Sequence, residues 1–274
     1  MTFGWEIRAR VQFEGDAHVL EDACGFQGPN AWVIDGATPL LEQLGLPAAS
    51  DPQWLAQALN MILAGPYRDP VRTGVRARLA SALAAVDAAA APLVGAERIR
   101  FPSAAISVVQ LNAGGLEVAS LADCTVVVRT DDGATHVVRA GDADAGVDAA
   151  MAGHVEARKP VPPEERARLL KRDRELRNTF GNLWVARREP EAADHAHVVQ
   201  LARPELVVMA TDGAWRAVDL GLVAGPEEFL ERSGTTLGAL GLMQELRTRQ
   251  AEIGEVSDDA TVLALAPTTP APRQ

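Results

Sequence analysis

The chain has 274 residues, a formal net charge of -11 and a hydrophobic fraction of 47%. That length corresponds to one large domain or two small ones, and it suffices for a hydrophobic core. No stretch approaches the ~20 apolar residues that span a bilayer, and the first residues lack the pattern of a secretory signal. The acidic balance disfavours a nucleic-acid binder. Two cysteines, Cys24 and Cys124, indicate no disulfide framework and favour a cytoplasmic protein.

The first third of the chain predicts strands followed by two helices. Trp5 to Phe13 alternates apolar and polar residues, and His18 to Gly25 and Ala31 to Ile34 are short extended candidates. Asp51-Pro52 and Asp69-Pro70 each place an N-cap acceptor before a proline. The apolar residues behind each pair recur at helical spacing, which predicts two amphipathic helices.

The middle and the end of the chain predict further strands and helices in separate runs. The segments SAAISVVQL, LEVASLA, CTVVVRT and THVVRA are joined by short turns and predict an antiparallel meander. Pro162 to Arg177 predicts a highly charged helix. The strand ELVVMA, helices near Glu227 to Arg232 and Leu237 to Glu252, and the strand ATVLALA follow. This order favours an α+β layered fold in a single domain, residues 1–267, with a loose tail over residues 268–274.

Several acidic residues stand at the ends of apolar strands. Asp35 and Asp212 each follow such a strand and precede a glycine, Asp123 follows LEVASLA, and Asp258 precedes ATVLALA. Glu21 lies in the segment HVLEDACGF. A carboxylate beside a buried strand is costly unless it is paired or bound to a cation. Converging strand ends that jointly hold a divalent metal would explain the pattern.

The ligand type narrows the choice of metal. Carboxylate oxygens, with backbone carbonyls at Gly36 and Gly213, suit Mg²⁺ or Mn²⁺ rather than Zn²⁺ or copper, and the glycines would let the backbone approach an ion. The alternative for any single Asp-Gly pair is an ordinary turn. Asp132-Gly133 lies between two alternating strands and is read in that way.

In order, the chain carries ED at Glu21-Asp22, VIDGATPL, ADCTVVV, VVMATDGAWRAVD and SDDATVLAL. This set resembles the protein phosphatase 2C family of metal-dependent Ser/Thr phosphatases, in bacterial form, from about residue 5 to residue 266. The resemblance implies a four-layer α-β-β-α sandwich, two antiparallel sheets flanked by helices. It also implies a site for two Mn²⁺ or Mg²⁺ ions, with a weak third, at one end of the sandwich.

The resemblance also implies roles for individual residues. Asp35 would bridge both metals beside the Gly36 carbonyl, and Glu21 would act through metal-bound water. Asp212 and Asp258 would hold the second metal, and Asp123 the third. A metal-bridging hydroxide would then attack phosphoserine or phosphothreonine on a protein, the product of a Ser/Thr kinase. The expected protein is a cytoplasmic monomer that binds no nucleic acid and no membrane.

Three positions depart from the family pattern. Ala17 stands where the family usually has a phosphate-binding arginine, Ala37 where a histidine often follows the DG pair, and Arg216 where an aspartate ends the DGxWD motif. Arg216, His18 and Thr38 are candidate substrate-binding residues, and Arg8 or Arg10 would be other sources of positive charge. The alternatives are a weak or pseudo-phosphatase that binds metal and partner proteins, or a hydrolase of small phosphate esters on the same scaffold.

Three other features have ordinary alternatives. His195 and His197 form an HxH pair without a visible third metal ligand. Asp142, Asp144 and Asp148 hint at a calcium loop but lack the closing glutamate, which favours a solvated turn. The charged helix is read either as a flap whose basic face attracts phosphorylated substrates or as a solvated surface helix with pairs such as Glu164 to Arg168.

Overall fold

The computed structural model of the chain describes residues 3–39, 41–65, 74–95, 98–141 and 163–268. The strands are β1 (Trp5–Phe13), β2 (Ala23–Gln27), β3 (Asn30–Gly36), β4 (Ala104–Asn112), β5 (Gly115–Leu121), β6 (Thr125–Thr130), β7 (Thr135–Val138), β8 (His197–Leu201), β9 (Pro204–Ala210) and β10 (Ala260–Pro267). The helices are α1 (Asp51–Ala64), α2 (Val75–Ala90), α3 (Pro163–Leu176), a 3-10 helix (Pro190–His195), α4 (Asp212–Asp219), α5 (Pro226–Ser233) and α6 (Thr236–Ile253).

The described strands form two five-stranded antiparallel sheets. The first has the order β1-β10-β9-β6-β7, and the second has the order β2-β3-β4-β5-β8. The register of β1 against β10 runs from Trp5 opposite Pro267 to Phe13 opposite Ala260. The first sheet therefore depends on strands from both ends of the sequence.

Three apolar cores lie between the layers. Each sheet contributes side chains to two of them, because successive side chains of a strand point to opposite faces of the sheet. In β3, Val33 packs between the two sheets and Ile34 packs under α1 and α2. In β6, Val126 packs between the sheets, whereas Val127 contacts the core formed with α4, α5 and α6. Both faces of each sheet are thus covered, which explains the nearly continuous apolar runs in the sequence. The layers run helix, sheet, sheet, helix, and the predicted α+β sandwich is confirmed.

The start of α1 differs from the prediction. Ser50, not Asp51, is the N-cap, and its hydroxyl accepts a hydrogen bond from the N–H of Gln53 at 3.2 Å. The buried carboxylate of Asp51 instead accepts the backbone N–H groups of Leu44 and Leu46. Serine and aspartate are equally good N-caps, and the loop before the helix decides between them by using Asp51 itself.

The remaining predicted elements agree in type, with some differences in extent. The segment His18 to Gly25 becomes a strand only from Ala23 onward. The helix α2 begins at Val75, and Asp69-Pro70 lies outside the described residues, as do the three aspartates of the possible calcium loop and the tail from residue 269. Gly133 has a φ of 81° and turns the chain between β6 and β7, as the hairpin reading predicts. Within the described ranges, no helix has the length and apolar character to cross a membrane.

Candidate metal centre

Four aspartates reach one cavity because the elements that carry them end at the same edge of the sandwich. Asp35 lies at the end of β3, Asp123 in the turn between β5 and β6, Asp212 at the start of α4 after β9, and Asp258 just before β10. All four line a cavity of about 420 Å³, here called the acidic cavity. The structure therefore brings four of the five predicted carboxylates to one cavity.

The backbone N–H of Asp212 donates a hydrogen bond to Oδ2 of Asp35 at 3.3 Å. The two residues are far apart in sequence. Asp35 lies at the end of a strand of the second sheet, and Asp212 follows a strand of the first sheet. Because Asp212 is the first residue of α4, the Asp35 carboxylate lies at a helix N-terminus, where a negative charge is stabilised. This contact fixes the position of Asp35 relative to the other carboxylates.

Burial and the neighbouring charges raise the pKa values of two of these carboxylates, Asp35 and Asp258. Burial raises the pKa of Asp35 well above its usual value, and the nearby charges of Asp212, Asp22 and Asp123 raise it further. Burial, and then the charge of Asp212, likewise raises the pKa of Asp258. The site therefore concentrates more negative charge than the protein alone stabilises, and cations would relieve this excess.

Glu21 lies beside the acidic cavity but does not line it. Its side chain accepts a hydrogen bond from the hydroxyl of Ser50, and burial raises its pKa. Its neighbour Asp22 is buried and accepts a hydrogen bond from the hydroxyl of Thr211 at 3.0 Å. Since Thr211 immediately precedes Asp212, Asp22 ties the ED segment to the start of α4.

The two glycines of the Asp-Gly pairs lie where two backbone segments approach each other closely. A Cβ atom on Gly36 would lie 2.6 Å from the carbonyl oxygen of Glu21, and one on Gly213 would lie 1.9 Å from the carbonyl oxygen of Asp259. Both positions thus permit two backbone segments to approach each other. This packing brings Glu21 toward Asp35, and Asp259 toward Asp212.

The three candidate substrate-binding residues occupy different positions. Thr38 lines the acidic cavity, whereas the exposed His18, with a φ of 53°, is not among the residues that line it. Arg216 also lines the cavity, but its guanidinium is paired with Glu255 through distances of 3.0 and 2.7 Å. Arg8 contacts Glu6 on the surface of β1.

Some of the arginines that line the acidic cavity were not predicted as site residues. Arg139, directly after β7, and Arg174 and Arg177, from the end of α3 and the turn after it, line the acidic cavity. The interpretation of the charged helix as a flap is consistent with the positions of Arg174 and Arg177. In the sequence, Arg139 is distinguished only by its place at the end of an alternating strand. The surface of α3 does contain an ion pair, Glu165 to Arg168 at 3.9 Å, in place of the expected Glu164 to Arg168.

The donors in the acidic cavity fit hard divalent cations by their chemistry. They are carboxylates, two of which, Asp35 and Asp258, have raised pKa values, and the Gly36 backbone lies among them. In the described ranges, no three His, Cys, Asp or Glu side chains stand in an arrangement that could hold a metal ion. Binding there would thus require the carboxylates to rotate toward one another. The HxH pair lies elsewhere, and the His195 ring stacks on Trp184 with 3.6 Å between ring centres.

Comparison with solved structures identifies the fold. The crystal structure of the Mycobacterium tuberculosis serine/threonine phosphatase PstP is 16% identical, with a TM-score of 0.58, over 97% of this chain and 99% of that one. PppA, a regulatory component of the type VI secretion system in Pseudomonas aeruginosa, is 15% identical, with a TM-score of 0.56, over 96% and 99%. The PstP catalytic domain in complex with two manganese ions is 15% identical, with a TM-score of 0.52, over 98% and 99%.

No family model and no curated protein sequence matches the chain. The structural similarity extends over nearly the whole length of each partner, so it concerns the complete sandwich and not one layer of it. The protein has the fold of the bacterial PPM-type, or protein phosphatase 2C, serine/threonine phosphatases. The fold implied by the sequence resemblance is confirmed.

Proposed function

We propose that this protein is a metal-dependent phosphoprotein phosphatase of the protein phosphatase 2C family. The observation that carries the proposal is the convergence of four aspartates, from four separate strand ends, on one cavity of a phosphatase fold. The structural relatives are serine/threonine phosphatases, and one of them binds two manganese ions. A turn at each Asp-Gly pair would account for one such residue but not for their common location.

The proposed ligands of two Mn²⁺ or Mg²⁺ ions are the carboxylates that the sequence pattern singles out. Asp35 would bridge the two ions next to the Gly36 carbonyl, and Asp212 and Asp258 would hold the second. Asp123 would contribute to a weak third position, and Glu21 would act through water. When bound, the ions supply water of lowered pKa as the nucleophile and offset the charge of the phosphoryl oxygens.

The other residues of the site orient these ligands. The N–H of Asp212 holds one oxygen of Asp35, so the two principal carboxylates keep a fixed relation. The buried Asp22 fixes Thr211, and thereby the start of α4, while Asp259 fixes the backbone of Glu21. Arginines on the cavity wall supply positive charge for a phosphate group.

The substrate that fits this proposal is phosphoserine or phosphothreonine on a protein, formed by a Ser/Thr kinase. The acidic cavity is lined by groups of both signs, so a phosphate group would meet arginines on one wall and the carboxylates that would hold the cations on another. We place the protein in the cytoplasm as a monomer of one catalytic domain, residues 1–267. Ala17 and Ala37 remove two groups that the family often uses, so we expect turnover below that of typical members.

The proposal is tested by turnover and, separately, by metal binding. With Mn²⁺, the purified protein should hydrolyse an aryl phosphate and phosphoserine peptides, and the peptides in preference to sugar phosphates. Asp35→Asn should abolish turnover, whereas Asp131→Asn, an exposed turn residue, should not. Because a ligand that binds only the folded state stabilises it by about 2.7 kcal/mol at a hundred times its Kd, Mn²⁺ should raise Tm by several degrees in the wild type.

Each outcome of these two measurements has a distinct meaning. A Tm rise without turnover of any phosphate ester would favour a metal-binding pseudo-phosphatase. Turnover of sugar phosphates but not of phosphopeptides would favour the small-ester hydrolase. Retention of activity in Asp35→Asn would place the catalytic site elsewhere.

A further inference from the structure

Two arginines on the wall of the acidic cavity each have a buried nitrogen atom with no hydrogen-bond partner among the described residues. Nε of Arg139 and Nη1 of Arg174 are shielded from solvent, and neither has a hydrogen-bond partner in the described part of the chain. Both residues line the acidic cavity. A buried hydrogen-bond donor on a charged group lowers the stability of the fold when it has no acceptor. An anion bound beside these two atoms would supply that acceptor.

The other arginines of the cavity wall are already engaged. Arg177 is bonded through Nε to Asp173 at 2.8 Å and through Nη1 to Ser103 at 3.0 Å. Arg216 forms its two-point contact with Glu255. Among the described residues that line the cavity, buried arginine nitrogens without a partner therefore occur only in Arg139 and Arg174.

The position of Arg174 is fixed relative to the predicted metal ligands. Its Nη2 donates a hydrogen bond to the carbonyl oxygen of Thr38 at 3.2 Å. Thr38 follows the Asp35-Gly36 pair by two residues, so α3 is tied to the loop that leaves β3. The guanidinium is thus anchored at Nη2, and the buried Nη1 keeps an unused hydrogen-bond donor.

The anion that fits must be compatible with carboxylates in the same cavity. In the described ranges neither Arg139 nor Arg174 forms an ion pair with any carboxylate. A phosphate group is compatible with both the arginines and the carboxylates. Its oxygens can accept hydrogen bonds from the guanidinium groups and can also lie next to cations held by the aspartates. A carboxylate ligand would provide fewer acceptors for this shared position.

We propose that Arg139 and Arg174 together bind the phosphate group of the substrate, through Nε of Arg139 and Nη1 of Arg174. The inference rests on the proposed function and deepens it. It assigns the phosphate-binding role, which the sequence leaves open at Ala17, to one residue directly after β7 and one in α3, far apart in the chain. Arg216 is not needed for this role, since Glu255 neutralises it.

The test measures phosphate binding and turnover in matched variants. Arg139→Gln and Arg174→Gln each remove one guanidinium, and Arg76→Gln, an exposed arginine on α2 away from the cavity, makes the same charge change. In the presence of Mn²⁺, the Kd of inorganic phosphate by calorimetry and KM for an aryl phosphate and a phosphoserine peptide are compared. Each cavity variant should weaken phosphate binding and raise both KM values by about tenfold to a hundredfold, while Arg76→Gln stays within twofold.

Unchanged phosphate binding in both cavity variants would overturn the inference, whatever their turnover. If a glutamine variant does not fold, judged by its circular dichroism and Tm, the lysine variant at the same position replaces it. Lysine keeps the charge but loses the planar fork, so phosphate binding should weaken several-fold, and wild-type binding by the lysine variant would count against the inference.

The two proposals can fail separately. A wild-type protein that binds phosphate through these arginines but hydrolyses no ester would sustain the inference and refute the proposed function. An active enzyme whose Kd for phosphate and KM values do not change in either arginine variant would support the proposed function and refute the inference. A wild-type protein loaded with Mn²⁺ that binds no inorganic phosphate would refute the inference directly.

Discussion

The guanidinium of Arg216 and the carboxylate of Glu255 meet in a two-point contact, with Nε 3.0 Å from Oε1 and Nη2 2.7 Å from Oε2. The pair joins α4 to the segment that follows α6 at the edge of the acidic cavity. The hydrogen bonds from Arg216 lower the pKa of Glu255 to about 2 and raise that of Arg216. A residue that the sequence suggested for substrate binding thus has an internal partner.

Glu255→Gln should reduce the free energy of unfolding only slightly at pH 7. Because both side chains are partly exposed, with relative accessibilities of 39% for Arg216 and 25% for Glu255, the loss should stay below about 1 kcal/mol. A carboxyl group whose pKa is lowered by folding stabilises the folded state above its unfolded pKa of 4.5, and this contribution disappears as the pH falls toward 2. Urea unfolding of both proteins at pH 7 and pH 3.5 measures the difference, which should shrink on acidification. A difference that grows at low pH would contradict the assigned pair.

Gly213→Ala should destabilise the protein strongly. The new Cβ would lie 1.9 Å from the carbonyl oxygen of Asp259, so either α4 or the segment before β10 must move. Overpacking of this kind typically costs about 1–3 kcal/mol, and a shift here would also separate Asp212 from Asp258. We expect a Tm several degrees below that of the wild type and weaker binding of Mn²⁺.

Gly241→Ala is the matched control for that variant. Gly241 lies inside α6, and a Cβ atom there would point into open space. Alanine favours a helix interior by about 1 kcal/mol over glycine, so Tm should stay the same or rise. If both variants lose the same stability, the close approach at Gly213 does not determine the effect.

Asp259→Asn should loosen the segment that carries Glu21. The Asp259 carboxylate accepts the N–H of Gly15 at 2.8 Å and the N–H of Glu21 at 2.6 Å. An amide provides one acceptor and one donor group, so one of the two backbone N–H groups would face another donor, at a cost of about 1–3 kcal/mol. Chemical denaturation gives the stability change, and calorimetry should show a weaker affinity for Mn²⁺.

Asp16→Asn provides the comparison for Asp259→Asn. Oδ2 of the exposed Asp16 accepts a single backbone bond, from the N–H of Ser257 at 2.8 Å. An asparagine can keep that bond through its carbonyl oxygen, so the change in the free energy of unfolding should stay within about 0.5 kcal/mol. An equal loss in both variants would show that general surface charge, not the two-bond contact of Asp259, is responsible.

The sequence predicted the parts of this structure that local patterns encode. Separate runs of strands and helices predicted an α+β layered fold. In the structure, neighbouring strand residues such as Val33 and Ile34 pack into different cores. Carboxylates at strand ends pointed to the acidic cavity. An unpaired charge next to a buried strand destabilises the folded state, whatever the position of the strand in the sheet. These signals depend only on neighbours in the chain. The predicted fold is confirmed, and four of the five predicted carboxylates line one cavity.

The pairings across the site were not accessible in the same way. Arg174 reaches Thr38, and Arg216 reaches Glu255, across gaps in sequence that no local pattern constrains. Several arginines in the charged helix carry the same chemistry, and only the packing of α3 against the cavity distinguishes Arg174. Likewise Ser50 and Asp51 are both good N-caps, and a contact with the preceding loop decides which one caps α1.

The two cysteines should be unreactive in the native protein, because both thiols are buried. Cys24 is 1% exposed and Cys124 is 0% exposed. Burial raises the pKa of Cys24 to about 11, and burial followed by the charges of Asp35 and Asp123 raises that of Cys124 well above 9.0. At pH 8 about one Cys24 thiol in a thousand is ionised, and only the thiolate reacts with alkylating agents.

The measurement is mass spectrometry after treatment with iodoacetamide at pH 8. Native protein should take up less than one label per chain and keep its Mn²⁺-dependent activity, whereas protein in denaturant should take up two. This outcome agrees with catalysis by carboxylate-held metal ions and excludes a thiol nucleophile. Rapid labelling of Cys124 that abolishes turnover would instead show that the thiol beside Asp123 takes part in the reaction.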